Sequence, residues 1–285
     1  MRLLFVSHSA DLMGAELSLV SLVRELVEEH GHQVTVAVPA AGPLVAALAG
    51  AGAEVVVLPT RLWMGRRFNP AVGTVRLLQA AASVPRYRRH LARTRPDVVI
   101  TNSAVVPAGA VAARLARVPH VWLVQESLLT NPSLRSALPR RLIARAIPRL
   151  SVAVVAVSGY VAAQLLRAAP AATPKLRVIP PPVEFPAPDP VPGTGRLERL
   201  VLLGRYAPEK GQDDAIAALG ICRRQGLALT LRLAAAGDAR ARHALAGLAR
   251  AHGVPDLVEV TGWSGEPQAL YAWADATLML SRNEA

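Results

Sequence analysis

The chain has 285 residues, of which 52% are hydrophobic and 18% are charged, so it is long enough for two domains and can bury a large core. No part of it approaches the roughly 18 uninterrupted apolar residues of a membrane span, and its start lacks the apolar stretch and cleavage site of a signal peptide. The single cysteine, Cys222, excludes an internal disulfide and a zinc cluster of cysteines, which predicts a cytoplasmic protein.

The net charge of +12 is concentrated in the first part of the chain. Residues 1–180 hold 21 Lys and Arg against 8 Asp and Glu, whereas residues 181–285 hold 11 against 12. Between Val55 and Pro96 there are nine arginines and no acid. Nucleic acid, an anionic membrane face and a phosphorylated substrate are all suitable partners for such a surface. A genome biased towards arginine explains the type of cation but accounts poorly for the missing acids.

Strand and helix patterns alternate along residues 1–180, which predicts a parallel sheet with helices on both faces. The predicted strands are Arg2–Ser7, Gln33–Val38, Glu54–Leu58, Asp97–Thr101, His120–Val124, Ser151–Val157 and Lys175–Pro180. Predicted helices between them include Ala15–His30, Pro43–Ala51, Val105–Ala116 and Gly159–Ala168. Residues 181–197 are rich in Pro and Gly, a composition that predicts a linker.

The loop after the first strand, SHSADLMGAELSLV, places Gly14 just before a predicted helix. Ligands of open α/β sheets lie beyond the carboxyl ends of the strands, where helix N-termini attract anions. A single glycine is not the fingerprint of a dinucleotide site, so NAD is poorly supported. An ordinary strand–helix turn explains Gly14 equally well.

Polar residues also follow two later strands. Asn102 and Ser103 come after the fourth strand, and Gln125 and Glu126 come after the fifth, so we expect both pairs at the same edge of the sheet. Glu126 is isolated among arginines, which indicates either the centre of a structural ion pair, the reading slightly favoured, or a catalytic or acceptor-positioning group. His120 is interpreted as a packed or surface histidine rather than a base.

The pattern restarts after the linker, which predicts a second, incomplete Rossmann-like domain over residues 198–285. Its predicted strands are Leu200–Gly204, Ala228–Ala234, Leu257–Thr261 and Ala276–Leu280. Its predicted helices are Gln212–Gln225, Arg240–His252 and Pro267–Ala274. We expect it to be incomplete because the helix that should cover the last, buried strand does not follow.

The segment LLGRYAPEKGQDDAI carries two cations, Arg205 and Lys210, in a short loop before a helix. An arginine that chelates two oxygens and a lysine beside a helix N-terminus form a diphosphate site. Lys210 is one of only two lysines in the chain, so composition does not account for it. The alternative is a loop of solvated charges.

Two further residues are predicted at the same edge. Gly237 lies in the turn of LAAAGD, and Glu284 follows the last predicted strand, where a carboxylate can accept hydrogen bonds from sugar hydroxyls. Taken alone, Glu284 reads as an exposed terminal residue. The pair Asp213-Asp214 opens a helix, so capping explains it better than a metal site does.

Six segments occur together in a characteristic order: MGAE, VSGYVAAQL, VIPPPVE, LLGRYAPEKG, AAAGD and ADATLMLSRNEA. In this order the chain resembles the GT4-type family of retaining, nucleotide-sugar-dependent glycosyltransferases over its whole length. The G-R-x4-K-G and S-R-x-E-A segments are the specific parts of the resemblance. In that family S-R-x-E opens an E-x7-E motif, so the resemblance implies that the chain stops inside this motif, without the second glutamate and the last helices.

The resemblance implies the GT-B fold, two Rossmann-like domains that face each other across a cleft. By position, Arg205 and Lys210 would hold the diphosphate of a UDP- or GDP-linked donor, and Glu284 would bind the hydroxyls of its sugar. Gly14 would lie in the loop that faces donor and acceptor. Where many relatives have a histidine after the fifth strand, this chain has Gln125 and Glu126, and either could substitute. Family members of this fold are expected to use cations and helix dipoles without a bound metal.

The leading hypothesis is a retaining glycosyltransferase with a polar or membrane-associated acceptor, located in the cytoplasm or at the inner face of the membrane. Its basic half would then contact anionic lipid or an acceptor phosphate, or simply form a solvated face. Candidates for that contact are Arg61, Arg66, Arg67, Arg86, Arg88 and Arg89. The alternatives are a catalytically inactive, truncated chain and a non-catalytic protein that binds anions or nucleic acid. Nucleic acid is disfavoured because aromatic residues are only 4% of the chain and no stacking platform is evident.

Overall fold

The computed structural model describes residues 1–65, 73–136, 138–182, 195–234, 237–262 and 267–282. Contacts between residues divide the chain into two compact units, Met1–Val183 and Glu184–Glu284. Most of the predicted linker, residues 183–194, lies outside the described residues, as do Arg66 and Arg67.

The strands of both units fall close to the predicted positions. They are β1 Arg2–Ser7, β2 Gln33–Val38, β3 Glu54–Val57, β4 Met64–Gly65, β5 Val98–Asn102, β6 His120–Val124, β7 Arg135–Ser136, β8 Ala153–Ala156, β9 Leu176–Val178, β10 Arg199–Leu203, β11 Thr230–Ala234, β12 Val258–Thr261 and β13 Ala276–Thr277. The short β4 and β7 form an antiparallel ribbon, and the remaining strands form two parallel sheets.

The helices alternate with the strands. They are α1 Gly14–Glu28, α2 Pro43–Gly50, α3 Gly73–Ala81, α4 Val84–Thr94, α5 Ala108–Ala116, α6 Arg140–Leu150, α7 Gly159–Ala168, α8 Gln212–Arg224, α9 Ala239–Ala251 and α10 Pro267–Trp273. Short 3₁₀ turns cover Pro170–Lys175 and Pro208–Lys210. Within the described residues, no helix is both long and apolar enough to cross a membrane.

The sheet of the first unit has the order β3-β2-β1-β5-β6-β8-β9. Side chains alternate between its two faces, and both faces are covered in the way that a parallel sheet requires. Leu3 and Phe5 of β1 pack in one cluster with α1 and α2, whereas Leu4 and Val6 pack in another with α4 and α5. The predicted α/β architecture of this unit is therefore confirmed.

The sheet of the second unit has the order β12-β11-β10-β13, again with parallel pairing throughout. Leu202 of β10 and Leu231 and Leu233 of β11 pack against Ile216 and Leu219 of α8. A smaller cluster on the other face joins β10 to α10. This unit thus repeats the strand–helix plan of the first.

The prediction of a buried strand over Ala276–Leu280 is wrong. Strand β13 ends at Thr277, and the Met279 side chain is 80% exposed. The Leu278 amide still donates to the Val201 carbonyl at 2.8 Å, after which the chain turns to pack on the loop before α8. An apolar sequence predicted burial here, but β13 lies at the edge of its sheet, where only one neighbouring strand pairs with it.

His120 lies in the core of the first unit. Its ring is 1% exposed and hydrogen bonds to the Thr101 hydroxyl at 2.8 Å and the Ser151 hydroxyl at 3.0 Å. Burial lowers the pKa of His120 from 6.5 to about 3. It is therefore a packed, neutral histidine, one of the two readings that the sequence allowed.

We predict that His120 makes the fold sensitive to acid. The unfolded chain takes up a proton on this histidine near its ordinary pKa of 6.5, and the folded chain does so only near 3. Stability is therefore present above pH 6.5 and is lost as the pH falls towards 3, at up to about 1.4 kcal/mol per pH unit. Denaturant titrations between pH 7 and 4.5 should give a flatter pH profile for His120→Gln, although its stability at pH 7 is lower. Equal slopes for His120→Gln and the wild-type protein would contradict the prediction.

Candidate functional site

The first unit brings the predicted polar residues together at the carboxyl edge of its sheet. Strand β1 pairs with β2 on one side and with β5 on the other, and β5 pairs with β6, so the connections that follow β1 and β5 run in opposite directions. A crevice opens at such a reversal, outside the carboxyl ends of the strands. Ser7, Asn102 and Val124 end β1, β5 and β6 there, and the polar candidates follow them.

Ser103, which follows β5, has a strained backbone that its neighbours hold in place. Its φ of 109° lies in the region that L residues rarely adopt. The Trp122 indole donates to the Ser103 carbonyl at 2.9 Å, and the Trp63 indole donates to the Ala104 carbonyl at 2.8 Å. The two indoles are stacked, with ring centroids 6.1 Å apart. Two buried tryptophans thus fix the turn that leaves β5.

Glu126 uses both carboxylate oxygens on this same turn. The Ser103 hydroxyl donates to Oε1, and the Ala104 amide donates to Oε2 at 2.9 Å. The Ser103 hydroxyl also accepts from the Val105 amide at 3.3 Å. Glu126 therefore clamps the turn after β5 to the end of β6, which favours a positioning role over direct contact with substrate.

Asn102 and Gln125 form a second connection beside this clamp. The Gln125 side chain donates to the Asn102 side-chain oxygen, and the side-chain amide of Asn102 donates to the Ala15 carbonyl at 3.3 Å. Ala15 lies in the first turn of α1, next to Gly14. Gly14 is exposed, and a Cβ there would meet no atom within 4 Å, so the space beside this turn is open. The first unit thus brings three of its predicted site residues, Gly14, Asn102 and Gln125, together at one helix N-terminus.

A buried pair that the sequence analysis missed lies in the same place. Glu16 is 1% exposed, and its Oε1 lies 3.3 Å from Nδ1 of His8, in the loop after β1. Burial raises the pKa of Glu16 above its ordinary value, and the neighbouring His8 opposes that shift. The burial of Glu16 could have been predicted from the helical spacing, because Glu16 shares its helix face with Leu19, Val20 and Val23, which are all buried.

In the second unit, Arg205 lies two residues beyond the end of β10 and pairs with an acid of its own loop. Its Nη2 lies 3.5 Å from Oε1 of Glu209, and the Arg205 side chain keeps 32% exposure. The side-chain amide of Gln212, at the start of α8, donates to the carbonyls of Gly204 and Arg205 at 3.3 and 3.2 Å. The loop between β10 and α8 is thus held closed across its base.

Lys210 and Gly211 lead directly into α8, as the phosphate-loop prediction requires. Gly211 has φ 75°, and a Cβ at this position would lie 2.5 Å from the Leu280 carbonyl oxygen. Arg282 binds the same loop, because its amide donates to the Glu209 carbonyl at 2.8 Å and its guanidinium to the Pro208 carbonyl at 3.0 Å. It also pairs with Asp214 in the first turn of α8. The arginine of the S-R-x-E-A segment therefore supports the cationic loop.

Gly237 lies near this loop, since a Cβ on it would be 4.0 Å from the Tyr206 Cβ and 3.0 Å from that of Ala241. The next residue, Asp238, caps α9 by accepting from the Ala241 amide at 2.8 Å. Glu284 lies outside the described residues, so its role stays a prediction. The second unit therefore brings Arg205, Lys210 and Gly237 to one edge of its own sheet.

Comparison with known proteins gives matches over most of the chain. The family model described as Glycosyltransferase Family 4 matches residues 13–185, and that described as Glycosyl transferases group 1 matches residues 194–285. No curated protein matches the chain.

Solved structures share its fold at low sequence identity. HepE of Anabaena, in complex with UDP-glucose, is 20% identical with a TM-score of 0.74, and the match covers 99% of this chain and 74% of HepE. The lipopolysaccharide outer core galactosyltransferase WaaB is 16% identical with a TM-score of 0.70, covering 99% and 74%. A glycosyltransferase of Rickettsia africae is 16% identical with a TM-score of 0.70, covering 98% and 73%.

We predict that Gly211→Ala destabilises the second unit more than a change of backbone preference explains. The left-handed φ alone costs an L residue about 1–2 kcal/mol, and here the new methyl group would also collide with the Leu280 carbonyl. Gly226→Ala is the matched control, because Gly226 has φ 79° and nothing within 4 Å of a Cβ. Denaturant unfolding of both variants measures the difference. Equal losses would mean that the contact between Leu280 and the loop is absent in solution.

We predict that Glu126→Ala costs about 2–4 kcal/mol of stability, because it leaves a strained serine and a buried amide without their acceptor. Glu126→Gln keeps one oxygen and the side-chain shape and should cost clearly less. Glu259→Ala, which breaks the exposed pair with Arg232, serves as the control and should have a small effect. A Glu126→Ala protein as stable as the wild type would exclude the clamp.

Proposed function

The chain belongs to glycosyltransferase family 4 and has the GT-B fold, and from this membership we propose that it transfers a sugar from a UDP-linked donor, with retention of configuration, to a hydroxyl of a membrane-associated acceptor at the cytoplasmic face of the membrane. UDP is favoured over GDP because HepE, of the same fold, has been solved with UDP and with UDP-glucose. Retention rests on the family resemblance alone. The observation that carries the donor proposal is the rigid cationic loop before α8.

The proposed chemistry places charge where that loop can stabilise it. The acceptor oxygen forms a bond to the anomeric carbon, the bond from that carbon to the diphosphate oxygen breaks, and the proton of the acceptor hydroxyl passes to water. The nucleoside diphosphate leaves with an additional negative charge. Arg205, Lys210 and the N-terminus of α8 would stabilise this charge, since preorganised cations and helix dipoles act most strongly where charge develops.

Two features support a preorganised loop. The side-chain amide of Gln212 bridges the carbonyls of Gly204 and Arg205, and Arg282 donates to the carbonyls of Pro208 and Glu209. The backbone that carries the two cations therefore does not need to be ordered when the donor binds, which lowers the entropic cost of binding. Transfer without a bound metal stays part of the proposal, with these cations in the role that a metal would have.

Acceptor-side roles are proposed for the polar residues of the first unit. The hydrogen bond between Gln125 and Asn102 leaves the Gln125 oxygen available at the edge of the sheet, where a hydroxyl could donate to it. Glu126 would position this group through the turn at Ser103. Gly14 would allow close approach of the substrate to the first turn of α1. Glu284 would bind the hydroxyls of the donor sugar, as the resemblance implies.

The donor proposal predicts a thermal shift with UDP and UDP-glucose that depends on Lys210. A ligand at about 100 times its Kd stabilises a protein by about 2.7 kcal/mol, which raises the melting temperature by several degrees. Loss of one charge-assisted hydrogen bond in Lys210→Ala should weaken binding about 10- to 100-fold. Arg224→Ala removes one positive charge at the far end of α8, away from the loop that carries Lys210, and should keep the shift.

GDP and ADP in the same panel test the choice of base. A shift with GDP alone would replace UDP by GDP, and an equal shift in Lys210→Ala would remove the lysine from the site. Cooperative melting without a shift for any nucleotide would contradict the donor proposal. Salt-sensitive binding to an oligonucleotide under those conditions would instead favour the non-catalytic alternative.

A further inference from the structure

Helix α3 exposes an apolar ridge in the basic part of the first unit. The Val75 side chain is 51% exposed and that of Leu78 is 66% exposed, and their spacing of three residues places them on one face. The opposite side of α3 packs through Ala80, which is buried, and Leu77, which contacts the core cluster around Trp63. The ridge is therefore the exposed face of a helix whose other face packs against the core.

Exposed arginines lie close to this ridge along the chain. Arg61 follows β3, and Arg86 and Arg89 lie in the first half of α4, which is separated from α3 by only two residues. In the described parts of the chain, none of these three arginines forms an ion pair with an acid. The Arg86 guanidinium donates to the Pro59 carbonyl at 3.2 Å. The guanidinium groups thus keep most of their capacity to bind anions.

Two contacts fix the α3–α4 junction at the carboxyl edge of the sheet. Arg86 binds the Pro59 carbonyl just beyond the carboxyl end of β3, and the Arg61 amide donates to the Ser83 hydroxyl at 3.3 Å. Ser83 lies between the two helices. Asn102 and Gln125, the proposed acceptor-side residues, lie at this same edge. Arg61, Arg86 and the end of α3 that leads into Ser83 therefore lie at the edge where the acceptor is expected.

We propose that this surface, defined by Val75, Leu78, Arg61, Arg86 and Arg89, docks the first unit onto an anionic phospholipid bilayer. Apolar side chains beside arginines match the boundary between acyl chains and anionic headgroups. A surface for single-stranded nucleic acid would need aromatic side chains on which bases stack, and α3 has none. The inference rests on the proposed function, because a membrane-associated acceptor is the reason for this edge to approach a bilayer.

Binding of the full chain to vesicles tests the surface without any substrate. The probes are phosphatidylcholine vesicles with and without about 30% phosphatidylglycerol, and the measurement is the partition coefficient from sedimentation. The test variant combines Arg86→Gln, Arg89→Gln and Leu78→Ser. A cation near an anionic membrane contributes about a factor of five in affinity, so two arginines and one leucine should lower binding to the anionic vesicles at least 25-fold.

The control variant combines Arg114→Gln, Arg117→Gln and Leu115→Ser at the end of α5. It removes the same charges and a leucine that is 56% exposed, but from the opposite edge of the sheet, where α5 ends before β6 begins. We expect it to bind within about threefold of the wild type. Circular dichroism and melting curves of both variants establish that they fold.

Equal losses in the two variants would overturn the proposal, because binding would then follow net charge alone. Absence of wild-type binding to the anionic vesicles, or binding to a single-stranded oligonucleotide in preference to them, would overturn it too. These outcomes are separate from the donor test. A chain that binds vesicles through α3 but gives no nucleotide shift would remove the donor proposal and leave the docking surface in place.

Discussion

The candidate sites of both units depend on how the first strand of each sheet is paired. Strand β1 lies between β2 and β5, and β10 lies between β11 and β13, with every pair parallel. In this arrangement the chain leaves the first strand towards one side and returns on the other, so no crossover covers the carboxyl end between them. Residues distant in sequence, such as Gly14 and Gln125, are brought to one edge by this topology alone.

Rigid loops at these edges come from polar groups that bind the backbone. Glu126 clamps Ser103 and Ala104, and Gln212 and Arg282 hold the loop from Gly204 to Glu209. These side chains have the chemistry of catalytic or ligand-binding groups, but each of them hydrogen bonds to main-chain atoms of the loop that it holds. Substrate contacts are then left to groups beside them, held at fixed positions by the clamps.

Much of this arrangement could be predicted from the sequence, because strand and helix periods are local and the edge of a parallel sheet follows from them. The positions of Asn102, Gln125, Arg205 and Lys210 needed no more than that. The partners of Glu126 could not be predicted, since Ser103 and Glu126 approach only after β5 and β6 pair. The prediction that the strand extends to Leu280 was wrong for a related reason, because an apolar segment is buried only when another element covers it.

Arginines in the first unit serve two different purposes, which composition alone does not separate. Arg140 donates to the carbonyls of Leu129 and Asn131, and Arg145 donates to that of Ala168. A guanidinium satisfied by carbonyl oxygens needs no carboxylate, so this part of the fold tolerates many arginines without acids. Arg61 and Arg89 have no such bonds among the described residues and point to a different use. Their guanidinium groups have no carboxylate partner among the described residues, so an external anionic surface could balance their charge, as the proposed docking requires.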